Sequence, residues 1–288
     1  MNVARTPSEL GRMPRAVAVG TFDGVHLGHR AVIRAAVDAG LRPTVVTFHP
    51  HPRTVLGNRV ELLATLERRL ELLAGCGVED TLVVEFTPEL ARLEPEAFAR
   101  GYLDAIGAQV VVAGAGFRFG HRRAGDLDLL RRLGLDAREV PLVEGVSSST
   151  IRRLAAAGEL EPAARLLGRP VEVDGIVVSG DQRGGTLGFP TANLRVEPDL
   201  LVPRFGIYAG ATGDRRAAVS IGVNPHYGGS ERRIEAFLLD WEGDLYGRRL
   251  VVELWQRLRE ERAFGSEQEL IDQIARDVEQ TRATTRPG

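Results

Sequence analysis

The chain has 288 residues, 43% of them apolar and 26% charged, with a formal net charge of −2 at pH 7. That length accommodates two ordinary domains, no apolar run approaches the roughly 20 residues of a membrane span, and a near-neutral balance without charge runs argues against a nucleic-acid binder. Lysine is absent, so all 37 basic residues are arginine, which removes a Walker A phosphate loop, the strand lysine of protein kinases and every Schiff-base mechanism.

The opening "MNVARTPSELGRMPRAVAVG" has no basic head followed by an apolar core and a cleavage site, so a cytoplasmic protein is expected. Short apolar runs then alternate with helical patterns: "AVAVG" (16–20), "HRAVIRAAVDAG" (29–40), "PTVVTFHP" (43–50), "ATLERRLELLAGCG" (64–77), "DTLVVEF" (80–86), "PEAFARGYLDAIG" (95–107) and "QVVVAG" (109–114). Continuous Val-rich strands separated by helices predict βαβ units around a parallel sheet covered on both faces. The lone Cys76 reads as a buried helix-end thiol with no catalytic role. "STIRRLAAAGELEPAARLLGRP" (149–170) predicts a helical hairpin ending at Pro170, which puts a domain boundary at 168.

Beyond it the pattern changes to "VEVDGIVVSG" (171–180), "GIYAGATG" (206–213), "AAVSIGV" (217–223), "RRIEAFLLDW" (232–241) and "RRLVVELWQRLR" (248–259). Such spacing predicts an antiparallel sheet or small barrel. "SEQELIDQIARDVEQTR" (266–282) closes it as an amphipathic helix with Ser266 as N-cap and Glu269 completing a capping box, and "TRATTRPG" is expected to fray.

"GTFDGVHLGH" (20–29) carries a strand into a helix start. Backbone N–H groups there form a phosphate site, and His26 and His29, at i and i+3, share a face from which they donate to phosphoryl oxygens. Gly24 and Gly28 allow close backbone approach. Two other readings stand beside this one: the histidines only satisfy a loop, or His26, His29, His49 and His51 converge on zinc. A serine run opening a helix, followed by Arg152 one turn in, is independently an anion clamp.

In the second half, "SGDQRGGTLGFPTANL" (179–194) is a glycine-rich hairpin leading into Pro190, Thr191 and Asn193 in an extended segment. The two side-chain oxygens suit the shell of a Mg²⁺ already held by nucleotide phosphates and water. Glu235, on a strand beside arginines, reads either as a cross-strand ion-pair partner or as a general base.

These motifs resemble the prokaryotic bifunctional riboflavin kinase/FAD synthetase family, through "GTFDGVHLGHR", "TFHPHP", "GFRFGHRRAGD" and "VSSSTIRRL" in the first half, and "GFPTAN", "GIYAG", "SIGVNPHYGG" and "RRIEAFLLDWEGDLYG" in the second. The resemblance implies an α/β chain with a Rossmann-like parallel-sheet nucleotidyltransferase domain over 1–168, making FAD and pyrophosphate from FMN and ATP. A C-terminal antiparallel β-barrel kinase with a terminal helix, over 169–288, would make FMN from riboflavin and ATP. It implies an adenylyltransferase ATP site of Gly20, Phe22, Asp23, Gly24, His26, His29, Ser147, Ser148 and Arg152. The kinase site would comprise Gly180, Gly184, Gly188, Pro190, Thr191 and Asn193, with Thr191 and Asn193 on Mg²⁺ and Glu235 as base.

No nucleic-acid or membrane partner is implied, and a monomer or weak homo-oligomer is expected. Five positions depart from the family pattern: Ala115 and Gly116 replace an acidic or amide pair, Ser149 replaces threonine, Gly185 replaces arginine and His226 replaces threonine. The first two suggest the alternative of a riboflavin kinase with a weakened adenylyltransferase half. Two readings of other classes also stand: a flavin-storage module without turnover and a zinc hydrolase.

Overall fold

The computed structural model describes residues 1–179, 189–223 and 232–288. They divide into two compact units, Met1–Val60 with Leu66–Ser147, and Glu61–Thr65 with Ser148–Gly288.

In the first unit the elements are β1 (Asn2–Ala4), α1 (Pro7–Leu10), β2 (Arg15–Val19), α2 (Leu27–Val37), β3 (Arg42–His49), α3 (Pro52–Val55), α4 (Leu66–Gly75), β4 (Asp80–Glu85), α5 (Pro88–Ala91), α6 (Pro95–Phe98), β5 (Ala108–Gly114), α7 (Leu127–Arg132) and β6 (Asp136–Val140). The six strands form one sheet in the order β1-β4-β3-β2-β5-β6, parallel throughout. Strand order reverses between β2 and β5, and open α/β sheets place ligands at the carboxyl ends of the strands around such a reversal. The central strands bury Val17, Val45, Val46, Leu82, Val111 and Val112 almost completely, as a sheet covered on both faces requires. Edge strands β1 and β6, with burial only at Ala4 and Ala137, lack that Val-rich signature and are not legible in the sequence.

At the opposite end of the sheet, one carboxylate joins three strand starts. Asp80 accepts from Arg15 Nε and Nη2 at 3.3 and 3.1 Å and from Arg42 Nε and Nη2 at 2.6 and 3.0 Å. Arg15 and Asp80 side chains are each 1% exposed, and Arg15 also donates to the carbonyls of Leu10, Gly11 and Ile106.

The second unit contains α8 (Ser148–Ala156), α9 (Leu160–Leu167), β7 (Val171–Val178), β8 (Ala192–Val196), β9 (Gly206–Thr212), β10 (Arg215–Val223), β11 (Arg232–Leu238), β12 (Arg249–Arg259) and α10 (Glu267–Ala283). Its strands close into a barrel in the order β10-β11-β8-β7-β12-β9, every pair antiparallel. The compact units part at 147/148, earlier than the boundary of 168 read from the hairpin. The reason is packing: Ile151, Leu154, Leu160 and Leu167 of α8 and α9 join Val171 and Val173 in the barrel core.

Glu61–Thr65 belongs to the same body. Leu62 pairs with Leu200, Leu62 N–H donates to Asp199 O and Leu201 N–H to Leu62 O, and the Thr65 hydroxyl donates to buried Asp174. α10 starts with the predicted cap, Ser266 Oγ accepting from Glu269 N at 3.2 Å. Its end is not frayed as expected: Arg216 donates to the Thr281 and Thr284 carbonyls, and Arg286 grips Glu253 through two bonds of 2.7 and 2.6 Å.

Burial pushes the Asp80 carboxyl up, but the bonds and charges of Arg42 and Arg15 outweigh it and hold it below the ordinary carboxylate range. Asp80→Asn strands Arg15 in the interior, a change that costs about 3–5 kcal/mol, read by urea unfolding at pH 7. A depressed folded pKa adds stability above the unfolded value of about 3.9 and loses it as pH falls through the folded one. The gap between wild type and variant therefore closes in acid below about pH 4.

Candidate active sites

The loop from β2 to α2 is held in left-handed backbone at Phe22 (φ 50°), Gly24 (φ 77°) and Val25 (φ 40°). Side chains at φ > 0, a β-branched one above all, mark stored strain that surrounding structure must impose. Phe22 and Val25 are buried at 1% and 0% exposure, and Asp23 is buried beside them.

His26 is the N-cap of α2: its Nδ1 accepts from His29 N–H at 3.3 Å. Accepting there assigns the ring proton to Nε2, which leaves that nitrogen as a donor. The two imidazoles are stacked, centroids 3.5 Å apart and 16° from parallel, and the Phe22 ring meets His29 edge-on at 5.3 Å. A Cβ on Gly28 would lie 3.3 Å from the His26 ring, and one on Gly20 3.1 Å from Phe22, so both glycines make room for the site's own rings. Among the described residues no three His, Cys, Asp or Glu side chains are placed to hold a metal ion, which leaves the zinc reading of His26, His29, His49 and His51 without a ligand set.

Gly20 and Thr21 also border a cavity of about 830 Å³ at the strand ends, walled by Phe48, Phe86, Phe98, Phe117 and Phe119. Phe117 and Phe119 stack at 5.5 Å. This aromatic wall was not foreseen from the sequence, although its phenylalanines stand partly in the "GFRFG" and "TFHP" motifs. Ala115 and Gly116 line the same cavity. Gly116 has φ 74°, and a Cβ added to it would meet nothing within 4 Å. Ser147 ends the first unit, while Ser148 and Arg152 lie on α8 of the second. Arg152 Nε donates to Glu61 O at 2.7 Å.

In the barrel, Glu235 is the register partner of Asn193 on one side and Ser220 on the other. Glu235 Oε1 accepts from Arg233 Nη2 at 3.0 Å and from Thr191 Oγ1 at 3.4 Å, and Asn193 Oδ1 accepts from Arg233 Nε at 3.1 Å. Thr191 borders two cavities. One, of about 310 Å³, contains Glu235, Glu261 and the apolar side chains of Phe189, Phe237 and Phe264. The other, of about 510 Å³, contains Pro190, Asn193, Trp241 and Tyr246.

Sequence reasoning missed Glu261, whose carboxyl is pushed up by burial against the pull of Arg259, with Glu235 adding repulsion. It sits over Gly222, where a Cβ would collide with it. Gly180, Gly184, Gly185, Gly188 and His226 lie outside the described residues.

A strained strand-end turn in an α/β unit is thus followed by a barrel whose carboxylate stands beside a hydroxyl and an amide oxygen. A family model described as FAD synthetase matches residues 11–151, and one described as riboflavin kinase matches 167–285. The bifunctional riboflavin kinase/FMN adenylyltransferase of Listeria monocytogenes is 38% identical, over 96% of this chain and 95% of its own. The enzyme of the same name from Escherichia coli K12 is 34% identical over 96% of each. The chain belongs to the bifunctional riboflavin kinase/FMN adenylyltransferase family.

A crystal structure described as a macrolide-efflux protein from Streptococcus pneumoniae shares the fold, with TM-score 0.87, 31% identity and coverage of 98% and 99% of the two chains. Among the described residues here, no helix is long and apolar enough to cross a membrane.

The His26 cap separates experimentally from the rest of the ring. His26→Ala lowers stability by about 1 kcal/mol, whereas His26→Asn, which caps equally well, changes it by less than about 0.5 kcal/mol. Chemical denaturation of the two variants measures the difference.

Proposed function

We propose that the chain phosphorylates riboflavin with ATP at Glu235 and adenylylates the resulting FMN with a second ATP at the His26–His29 turn. Family membership supports both activities. The observation that carries the site assignment is that Thr191, bonded to Glu235, separates an aromatic cavity from a second one: a flavin on one side and a nucleotide on the other meet at that carboxylate.

In the kinase step the 5′-hydroxyl of riboflavin loses its proton to Glu235 while its oxygen attacks the γ-phosphorus of ATP, and ADP leaves. Arg233 keeps Glu235 aimed from two positions earlier on the same strand. Phe189 and Phe237, edge-to-face at 5.4 Å, hold the ring system. The donor set fits Mg²⁺: Thr191 and Asn193 offer a hydroxyl and an amide oxygen from alternate positions of one extended segment, hard ligands for an ion carried by ATP. Bound there, the ion would offset charge on the phosphates.

In the adenylyl step a phosphate oxygen of FMN attacks the α-phosphorus of ATP, and pyrophosphate leaves without an enzyme-bound intermediate. The Nε2–H of His26 and the ring of His29 stabilise charge on the phosphates, donors already in place before reaction. Gly20, Phe22, Asp23 and Gly24 shape that turn, and Ser147, Ser148 and Arg152 are assigned to the leaving pyrophosphate. The phenylalanine-walled cavity suits the isoalloxazine ring of FMN. The protein is further proposed to act in the cytoplasm as a monomer or weak homo-oligomer.

Product analysis after incubation with riboflavin and Mg-ATP tests the assignment. Wild type yields FMN and then FAD, each exceeding enzyme in molar amount. Glu235→Gln lowers FMN formation by about 10²–10⁴ yet converts supplied FMN to FAD, and His29→Ala accumulates FMN. FMN without FAD from wild type identifies a decayed adenylyltransferase half, and product that never exceeds enzyme identifies a storage module.

Ala115 and Gly116 bear on the strength of the second activity. Gly116→Asn, tolerated in left-handed backbone, restores a polar contact and raises the rate of FAD formation about threefold to tenfold, the worth of one hydrogen bond. Steady-state rates at limiting ATP read it.

A further inference from the structure

Arg69, on α4, is 3% exposed, and among the described residues it makes no ion pair. Its Nη1 donates to Thr21 O at 2.7 Å, to Phe48 O at 3.2 Å and to Thr47 Oγ1 at 3.5 Å, while its Nε is buried with no hydrogen-bond partner. Burial draws its pKa down, and the charge of Asp23 opposes that shift. Burying a cation without an ion pair is a cost to folding, so stability alone does not account for an arginine here.

Its two carbonyl acceptors are informative. Thr21 lies in the strained turn two residues before Asp23, and its carbonyl also accepts from the Thr47 hydroxyl at 3.0 Å. Phe48 is the penultimate residue of β3 and walls the aromatic cavity. A single nitrogen therefore ties the turn carrying the imidazoles to the wall against which the flavin ring rests.

We propose that Arg69 is a positioning residue for adenylyl transfer, setting the phosphate turn and the flavin cavity at the mutual distance that brings the FMN phosphate in line with the α-phosphorus of ATP. This rests on the assignment of that reaction to the His26–His29 turn. Small displacements of reacting groups cost far more in turnover than in binding, about 10²-fold for 1 Å, so the role shows in kcat and not in KM. All three bonds leave from one nitrogen, and a lysine ammonium, with three donors on a flexible stem, can take its place.

The full-length chain carrying Arg69→Met or Arg69→Lys is assayed for FAD formation from FMN, for FMN formation from riboflavin, and for FMN-binding stoichiometry. Arg69→Met is expected to lower kcat for FAD formation about 100-fold, with KM for FMN and ATP within about threefold and FMN formation and binding stoichiometry unchanged. Arg69→Lys is expected to recover kcat to within about tenfold of wild type.

Equal losses in the Lys and Met variants, a kcat that falls only in step with binding stoichiometry, or a rise in both KM values at constant kcat overturns the proposal. If the Met variant does not fold, the Lys variant decides, and a kcat below about one-hundredth of wild type overturns it. His29→Ala retaining the wild-type rate of FAD formation shows instead that the underlying site assignment has failed.

Discussion

A carboxylate with almost no access to water, that of Asp80, gathers the starts of three adjacent strands, β4, β3 and β2. Two guanidinium groups bind it from β2 and β3, and the same Arg15 reaches back to the segment before its own strand. The alignment imposed at this end is transmitted by strand register to the far end, where Val19 pairs with Val46 and His49 with Glu85. The strained turn, the aromatic cavity and the Arg69 contacts all lie at those far ends. A buried ion pair is weak evidence for net stability, and its best-attested use is to specify one arrangement; here the arrangement is the register on which the site geometry depends.

The absence of lysine means that the proposed handling of triphosphates rests on other groups in both units. In the first unit the solution is economical: the hydrogen bond that begins α2 also decides which imidazole nitrogen is left as a donor. In the second unit the proposed site offers neutral oxygens and a neighbouring arginine instead of an ammonium group. Arg233 bonds Glu235 and Asn193 together, so the proposed general base and the proposed magnesium ligand are oriented by one side chain. The ion pair of Glu235 runs along its own strand and not across strands as expected, and it is compatible with the proposed catalytic role.

Much of this was legible in the residues, for identifiable reasons. Central strands of a parallel sheet are buried on both faces and announce themselves as Val-rich runs, and His26, His29, Thr191, Asn193 and Glu235 stand in local motifs that a reader meets in one glance. What escaped was non-local. β1 and β6 are edge strands with little apolar content, Phe86 and Phe98 reach the cavity from separate connections, and Arg69 sits in an ordinary amphipathic stretch, "LERRLELL", where nothing distinguishes it from Arg68. The hairpin of α8 and α9 was recognised as helical, but its allegiance to the barrel follows from the apolar face it buries, which a boundary drawn at 168 does not express.

Five residues from the first quarter of the chain, Glu61–Thr65, pair and pack with a body that otherwise begins at Ser148. The polypeptide thus enters that body early, leaves it for more than eighty residues, and returns. A gene cut at codon 148 would encode a kinase half lacking the partner of Leu200 and the hydroxyl beside Asp174, so fusion of the two halves is interleaving and not simple concatenation.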